Sequence, residues 1–326
     1  MNSILVSSAG RRVSLLGLLQ VAAHSRGWSV IAGDCNALAP SVYLADKAVR
    51  LPRITSEGYI PELLGIVEEH AIRLIVPTID TELIVLAANA DLFSNLNCRV
   101  LISSLDFVEM CGDKWATAAC FSKRGIVTPD SWLPPVVTIA DLPKRVFVKP
   151  RDGSASANVY GTDRENLDGI LRLVPNAIIQ EELIGEEITI DALIDFKGTP
   201  IHYVPRVRIR TLAGESIQGQ TISDLGLREW IINCMNVSAQ MGARGPITLQ
   251  AFLTANGPVL TEINPRFGGG FPLGHAAGAH YPEWILQLVE ERTVQPQLGN
   301  YSSGVYMSRY HREYFFTSPL WETIQR

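Results

Sequence analysis

The chain has 326 residues, 47% of them hydrophobic and 19% charged, and a formal net charge of -5. That length corresponds to roughly two domains with ample apolar side chain for a core, which excludes a disordered polymer. The acidic balance excludes a general nucleic-acid surface, because neutralising a phosphate backbone needs a cationic excess.

The first hundred or so residues alternate strand and helix signals. Ile4-Leu5-Val6 reads as a short buried strand closed by Ser7-Ser8-Ala9-Gly10, and residues 13–23 follow with apolar side chains at helical spacing. Residues 28–32 form a second strand, ended by Gly33-Asp34. A helix over 59–70 turns Leu63, Leu64, Ile66 and Val67 inward. Residues 74–77 are the next strand, 82–90 a helix and 99–103 a strand. Short continuous apolar runs separated by helices are the pattern of buried parallel strands, so this is a doubly wound α/β lobe.

The texture then changes. Residues 113–124 read as a helix stopped by Gly125 and Pro129. Residues 145–150 are a strand that delivers Lys149 into a loop of small residues, 151–158. Strands follow at 177–180, 187–194, 202–210, 247–253 and 259–264, the last two joined across Asn256-Gly257, and a helix over 227–241 interrupts them. This half is α+β with antiparallel pairing.

Several classes are excluded. Cys35, Cys98, Cys111, Cys120 and Cys234 are dispersed without a C-x-x-C pair, which reads as reduced thiols in a reducing compartment. The sequons at Asn236 and Asn300 are then chance matches. No apolar run is long enough to span a bilayer, and the basic residues of the N-terminus follow its apolar run, the reverse of a signal peptide. A cytoplasmic protein is expected. G-x-x-x-x-G-K-[ST], H-E-x-x-H, G-x-S-x-G and G-x-G-x-x-G are all missing, so Walker NTPase, zincin, serine hydrolase and dinucleotide-dependent dehydrogenase have no support. Asp34 at a strand end can meet a ribose, but a tight helix–sheet turn explains the segment better; Arg11 and Arg12 remain candidates to touch an acidic ligand.

Three segments carry chemistry. Lys149-Pro150-Arg151-Asp152-Gly153-Ser154-Ala155-Ser156 can close over a polyphosphate with backbone N–H donors and a cation, and is equally compatible with a surface turn. Residues 180–187, Gln-Glu-Glu-Leu-Ile-Gly-Glu-Glu, can pair an adenine edge through backbone groups and a ribose through Glu187; taken alone they read as an acidic turn. The third, Gln250 with Thr261-Glu262-Ile263-Asn264-Pro265-Arg266 and three glycines, is the most informative. Strand alternation puts Glu262 and Asn264 on one face and Val259, Thr261 and Ile263 on the other. Carboxylate and amide oxygens two residues apart suit Mg²⁺, and Arg266 can stabilise a transferring phosphoryl group.

In this order, these pieces resemble the ATP-grasp superfamily, in the branch of carbamoyl-phosphate synthase large-subunit-like proteins and small amino-acid ligases. Asp113-Lys114, Gly10-Arg11-Arg12 and Pro77-Thr78-x-Asp80-x-Glu82 add to the likeness, which spans nearly the whole chain. It implies a Rossmann-like pre-ATP-grasp lobe over 1–108, a small phosphate-loop lobe over 109–183 and a large metal and substrate lobe over 184–326. Lys114 and Lys149 would contact ATP phosphates beneath a loop containing Ser154. Glu181, Glu182 and Leu183 would line the adenine pocket and Glu187 would bind ribose. Gln250, Glu262 and Asn264 would hold Mg²⁺ (or Mn²⁺). Arg266, Lys149 and Arg210 would form the catalytic set, with Arg208 and Arg210 binding the substrate.

The implied activity is an ATP-dependent carboxylate–amine (or thiol) ligase working through an acyl phosphate and releasing ADP and phosphate, with small-molecule substrates and a possible homodimer. One ATP-grasp unit instead of two does not fit carbamoyl phosphate synthesis. The alternative is a catalytically inactive nucleotide-binding accessory subunit. One geometric condition follows. A simple two-residue turn at Asn256-Gly257 would oppose Gln250 to Ile263 and turn it from Glu262, so a shared metal requires an irregular turn or bulge, with Gly257 in the left-handed region.

Overall fold

The computed structural model describes residues 2–134, 136–152, 158–212 and 215–322; Ser154 and Gly214 fall outside them. The N-terminal lobe is built on five parallel strands, β1 (Ser3–Ser7), β2 (Ser29–Asp34), β3 (Lys47–Arg50), β4 (Ile72–Pro77) and β5 (Arg99–Val100), in the order β3-β2-β1-β4-β5. Alternation along each strand sends side chains to opposite faces. Ile4, Val6, Val30, Ala32, Leu74 and Val76 enter one core with Leu15, Leu16 and Leu19 of the helix Val13–His24. Leu5, Ile31 and Ile75 enter the other with Tyr59 and Leu63 of the helix Tyr59–Glu69. Both faces are therefore covered, as the continuous apolar runs require. β3 escaped the sequence because its half-exposed Lys-Ala-Val-Arg carries no apolar run.

The second sheet is antiparallel, in the order β6-β9-β7-β8, from β6 (Ser131–Trp132), β7 (Arg145–Pro150), β8 (Tyr160–Asp163) and β9 (Ala177–Glu181). The third is also antiparallel and runs β14-β13-β10-β11-β12-β15, from β10 (Glu186–Ile194), β11 (Pro200–Leu212), β12 (Glu215–Thr221), β13 (Gly245–Thr254), β14 (Gly257–Asn264) and β15 (Tyr306–Ser308). Ile188, Ile190, Ala192, Ile247, Leu249 and Ala251 form its buried face, packed on Ile231, Cys234 and Met235 of the helix Arg228–Gln240. Phe107, Met110, Cys111 and Phe121 join the same core from the helices Leu105–Gly112 and Lys114–Ser122.

The segment after β14 returns to the first lobe. Phe271, Tyr281, Trp284 and Ile285 pack into the core shared by Leu15, Leu16 and Leu19, so the glycine-rich stretch 268–270 is held against the N-terminal lobe. The five cysteines are unpaired and three of them are buried. Among the described residues no helix is long and apolar enough to cross a membrane.

Candidate active site

A cavity of about 650 Å³ opens between the exposed faces of the two antiparallel sheets and is closed at one end by the N-terminal lobe. Alternation explains its lining. On β7, Val146 and Val148 enter the small lobe's core while Phe147 and Lys149 point to the cavity. On β10, Glu187 and Thr189 line it opposite the buried Ile188 and Ile190, and on β13 Thr248, Gln250 and Phe252 alternate with Ile247, Leu249 and Ala251.

The hairpin register matters most. Thr254 pairs with Gly257 across the two residues Ala255 and Asn256, with Gly257 at φ +113°. The irregularity expected at the turn lies further along, in β14. Gln250 pairs with Glu262 but Ala251 pairs with Leu260, so Thr261 is a β-bulge. Leu260 and Ile263, three residues apart, both enter the core as a result. Without the bulge, Thr261 would oppose Gln250, and Glu262 and Asn264 would turn from the cavity to the core face. Val259 correspondingly pairs with Phe252, on the face opposite Ile263, which corrects the simple alternation expected for this strand.

Asn264 Nδ2 donates to Glu262 Oε1 at 3.1 Å, turning the amide oxygen away from the carboxylate. Just after β14, Arg266 N donates to the Asn264 carbonyl at 2.8 Å across Pro265, a three-residue turn that the fixed φ of proline favours. This turn carries Arg266 into the cavity wall, where its Nε and Nη2 bind both oxygens of Asp80 at 2.6 and 2.5 Å.

The cations meet this face from the other side. Lys149 is buried, and desolvation lowers its pKa to about 8; Glu262 and Glu187 oppose that shift while Lys114 adds to it. Lys114 begins the helix Lys114–Ser122 and is also buried at the cavity. Asp113 caps that helix, accepting from the Trp115 and Ala116 amides, and binds Arg151 in bidentate fashion. Burial would raise the Asp113 carboxyl, but Arg151 and these amides hold it below the usual range.

Glu181, Glu182 and Leu183 line the cavity. Their side chains have local tasks: Glu182 clamps Arg145 at 2.6 and 2.8 Å and Glu181 Oε1 accepts from the Asp130 amide at 3.1 Å. Glu187 also lines the cavity and pairs with Arg208 at 2.7 Å. Arg210 is exposed near the end of β11 and does not line the cavity; one register shift separates it from Arg208 and another follows it. Asp34 is likewise occupied, accepting from the amides of Gly10 at 2.7 Å and Asn36 at 2.8 Å, as a turn-stabilising residue does.

Sequence reasoning missed the acidic partners that hold the arginines. Asp80 binds Arg266, and Asp191 on β10 binds Arg206 on β11 at 2.8 and 3.2 Å with both side chains at most 3% exposed. The alternating Glu187-x-Thr189-x-Asp191 is a legible sign of a polar strand face; the arginines it meets are not. Among the described residues no group of three His, Cys, Asp or Glu side chains could hold a metal ion. A cation here would depend on one carboxylate, two amide oxygens and a ligand's own oxygens, a set that suits Mg²⁺.

Comparison with known proteins agrees with this geometry. Residues 4–101 match the family described as PylC-like, N-terminal domain, and residues 174–311 match ATP-grasp in the biosynthetic pathway with Ter operon. A phosphoribosylamine–glycine ligase of Methanopyrus kandleri is 28% identical over 165 residues, covering 40% of this chain and only 36% of that protein. The biotin carboxylase domain of Hydrogenobacter thermophilus 2-oxoglutarate carboxylase, solved with MgADP and bicarbonate, superimposes with a TM-score of 0.74 at 15% identity over 93% of this chain and 73% of that one. An L-amino acid ligase from Bacillus licheniformis gives 0.67 at 18% identity over 91% and 78%. Residues 174–311 thus carry the ATP-grasp match and residues 4–101 the PylC-like one, in that order along a chain that shares the fold of these ligases and carboxylases.

Proposed function

We propose that this protein is an ATP-dependent ligase that activates a small-molecule carboxylate as an acyl phosphate and joins it to an amine or thiol. The observation that carries the reading is the convergence on one cavity of Lys114 and Lys149 from the small lobe with Gln250, Glu262, Asn264 and Arg266 from the large lobe. The names of the related ligases and the MgADP of the Hydrogenobacter protein support the same choice. The lobes are taken as 1–108, 109–183 and 184–326.

Lys149 and Lys114 neutralise phosphate oxygens, and the low-dielectric wall around Lys149 strengthens that contact. Phe147 and Phe252 supply apolar surface for a base, whose edge meets the backbone of 181–183, and Glu187 exchanges Arg208 for ribose hydroxyls. Gln250, Glu262 and Asn264 hold Mg²⁺ (or Mn²⁺), which when bound withdraws charge from the phosphate oxygens. A carboxylate oxygen attacks the γ-phosphorus, the bond to the β-phosphate oxygen breaks and ADP leaves. The nucleophile then attacks the acyl carbon, expelling inorganic phosphate and losing its proton to water. Arg266, aligned by Asp80, stabilises the charge on the transferring group. Arg210 has no part in this reading.

The test is substrate-dependent phosphate release across a panel of carboxylates and amines, with hydroxylamine added to trap an acyl phosphate as a hydroxamate. Glu262→Ala should abolish ADP release while leaving the melting curve cooperative. Unchanged turnover in that variant would remove Glu262 from the site. Nucleotide binding with no carboxylate-dependent turnover would point to the accessory-subunit role.

A further inference from the structure

At the end of the cavity nearest the N-terminal lobe, arginines outnumber carboxylates among the described residues. Arg12, Arg206, Arg266 and Arg309 meet there with Asp80, Asp191 and Glu215. Two of these arginines are fully engaged: Arg206 by both oxygens of Asp191, and Arg266 by both oxygens of Asp80 and by the Phe267 carbonyl. Glu215 is then left to serve the other two, at 3.8 Å from Arg12 and 3.4 Å from Arg309. Arg309 also donates to the Gly269 carbonyl.

Arg12 is the poorly served member. A guanidinium has five N–H donors. Besides its long approach to Glu215, Arg12 makes a 3.4 Å hydrogen bond to the Thr78 carbonyl. Its side chain is 20% exposed, lines the cavity, and abuts Gly269 so closely that a Cβ there would meet Nη1 at 3.0 Å. Burial and the nearby charge of Arg266 both depress its pKa, the electrostatic sign of a cation without a full counter-charge. A planar fork in that state matches a carboxylate or a phosphate.

We infer that Arg12 anchors a negatively charged group of the substrate, a carboxylate or phosphate additional to the carboxylate that reacts, seated between segments 78–81 and 268–270. The reacting carboxylate belongs at Glu262, Asn264 and Arg266, whereas Arg12, Thr78, Glu215 and Gly269 form a separate wall on the N-terminal side. The substrate is therefore acidic in its non-reacting part. That the ligand is a substrate rests on the ligase reading; the anion site itself stands on the geometry.

The experiment uses the full chain with the nucleotide site filled by Mg-AMP-PNP, and titrates malonate, inorganic phosphate and neutral malonamide calorimetrically. Wild type should bind malonate or phosphate and not malonamide, and whichever binds tighter identifies the headgroup. Arg12→Gln should weaken that affinity about tenfold or more, the loss of a charge-assisted bidentate contact. Arg12→Lys should fall between. Glu215→Gln, which removes the competing carboxylate, should tighten it, a change of sign that a merely structural role would not produce. Equal affinity in Arg12→Gln and wild type, equal binding of malonamide, or no anion binding would overturn the inference. If AMP-PNP fails to bind, the ligase reading fails alone, and the Arg12-dependent titration of the nucleotide-free protein still decides the anion site.

Discussion

Lys149 is held in a state that the free protein disfavours. Its pKa falls from 10.5 to about 8, chiefly through desolvation, with Lys114 adding repulsion and Glu262 and Glu187 opposing it. At 1.36 kcal/mol per unit, keeping the ammonium charged at pH 7 costs roughly 3 kcal/mol in the folded chain. Lys149→Met keeps the length and flexibility of the side chain and removes the charge. That figure already nets the attraction of Glu262 and Glu187, and a thioether fills the amine's place imperfectly, so about 1–3 kcal/mol of net stabilisation is expected. For a chain of this size that raises the midpoint by roughly 2–6 °C. The pH dependence has a definite sign. A cation whose folded pKa is depressed destabilises fully below that pKa, and the penalty fades as pH rises from about 8 toward 10.5. Wild type and variant should therefore differ most near pH 7 and converge above pH 8. Calorimetry with and without MgADP completes the test: the nucleotide should raise the midpoint of wild type and have little effect on the variant. A variant less stable than wild type at pH 7, with no convergence at higher pH, would refute the reasoning that Lys149 is poised for a phosphate.

Asp191→Asn should cost about 3–5 kcal/mol in denaturant unfolding, because it strands the buried Arg206 guanidinium without its carboxylate. Replacing Asp191 and Arg206 together by apolar residues should recover much of that loss. Gly270→Ala tests the close approach beneath the glycine stretch: φ is an ordinary -87°, but the added Cβ would lie 2.5 Å from the Arg206 guanidinium, which Asp191 locks in place. We expect a loss of about 1–3 kcal/mol from overpacking, read as a lower melting midpoint, together with reduced turnover. A neutral Gly270→Ala would show that Arg206 can yield.

Local pattern carried most of the architecture. Ile4-Leu5-Val6 and residues 74–77 are apolar at every position because both faces of the parallel sheet are covered, and period-two alternation on β10 and β13 separates core from cavity. Of the five strands without a sequence signal, β3, β6, β8 and β15 lie at sheet edges and are short, and β12, inside the third sheet, has no continuous apolar run. The candidate site was legible to the extent that its members cluster in sequence, as Glu262, Asn264 and Arg266 do. Arg210 stands two positions from Arg208 in sequence, and a register shift in β11 separates the two.

What the sequence by itself determined are the elements, their order, and the residue types able to bind a phosphate or a divalent ion. These are short-range properties: spacing, alternation, and the chemistry of a side chain. Tertiary structure decided the register that lets Gln250 face Glu262, since a bulge at Thr261 changes pairing without any local marker. It also decided that Asp80 meets Arg266 across 186 positions and that Arg12 shares Glu215 with Arg309. Ion pairs form wherever folding brings charges together, and strand spacing carries no information about that distance.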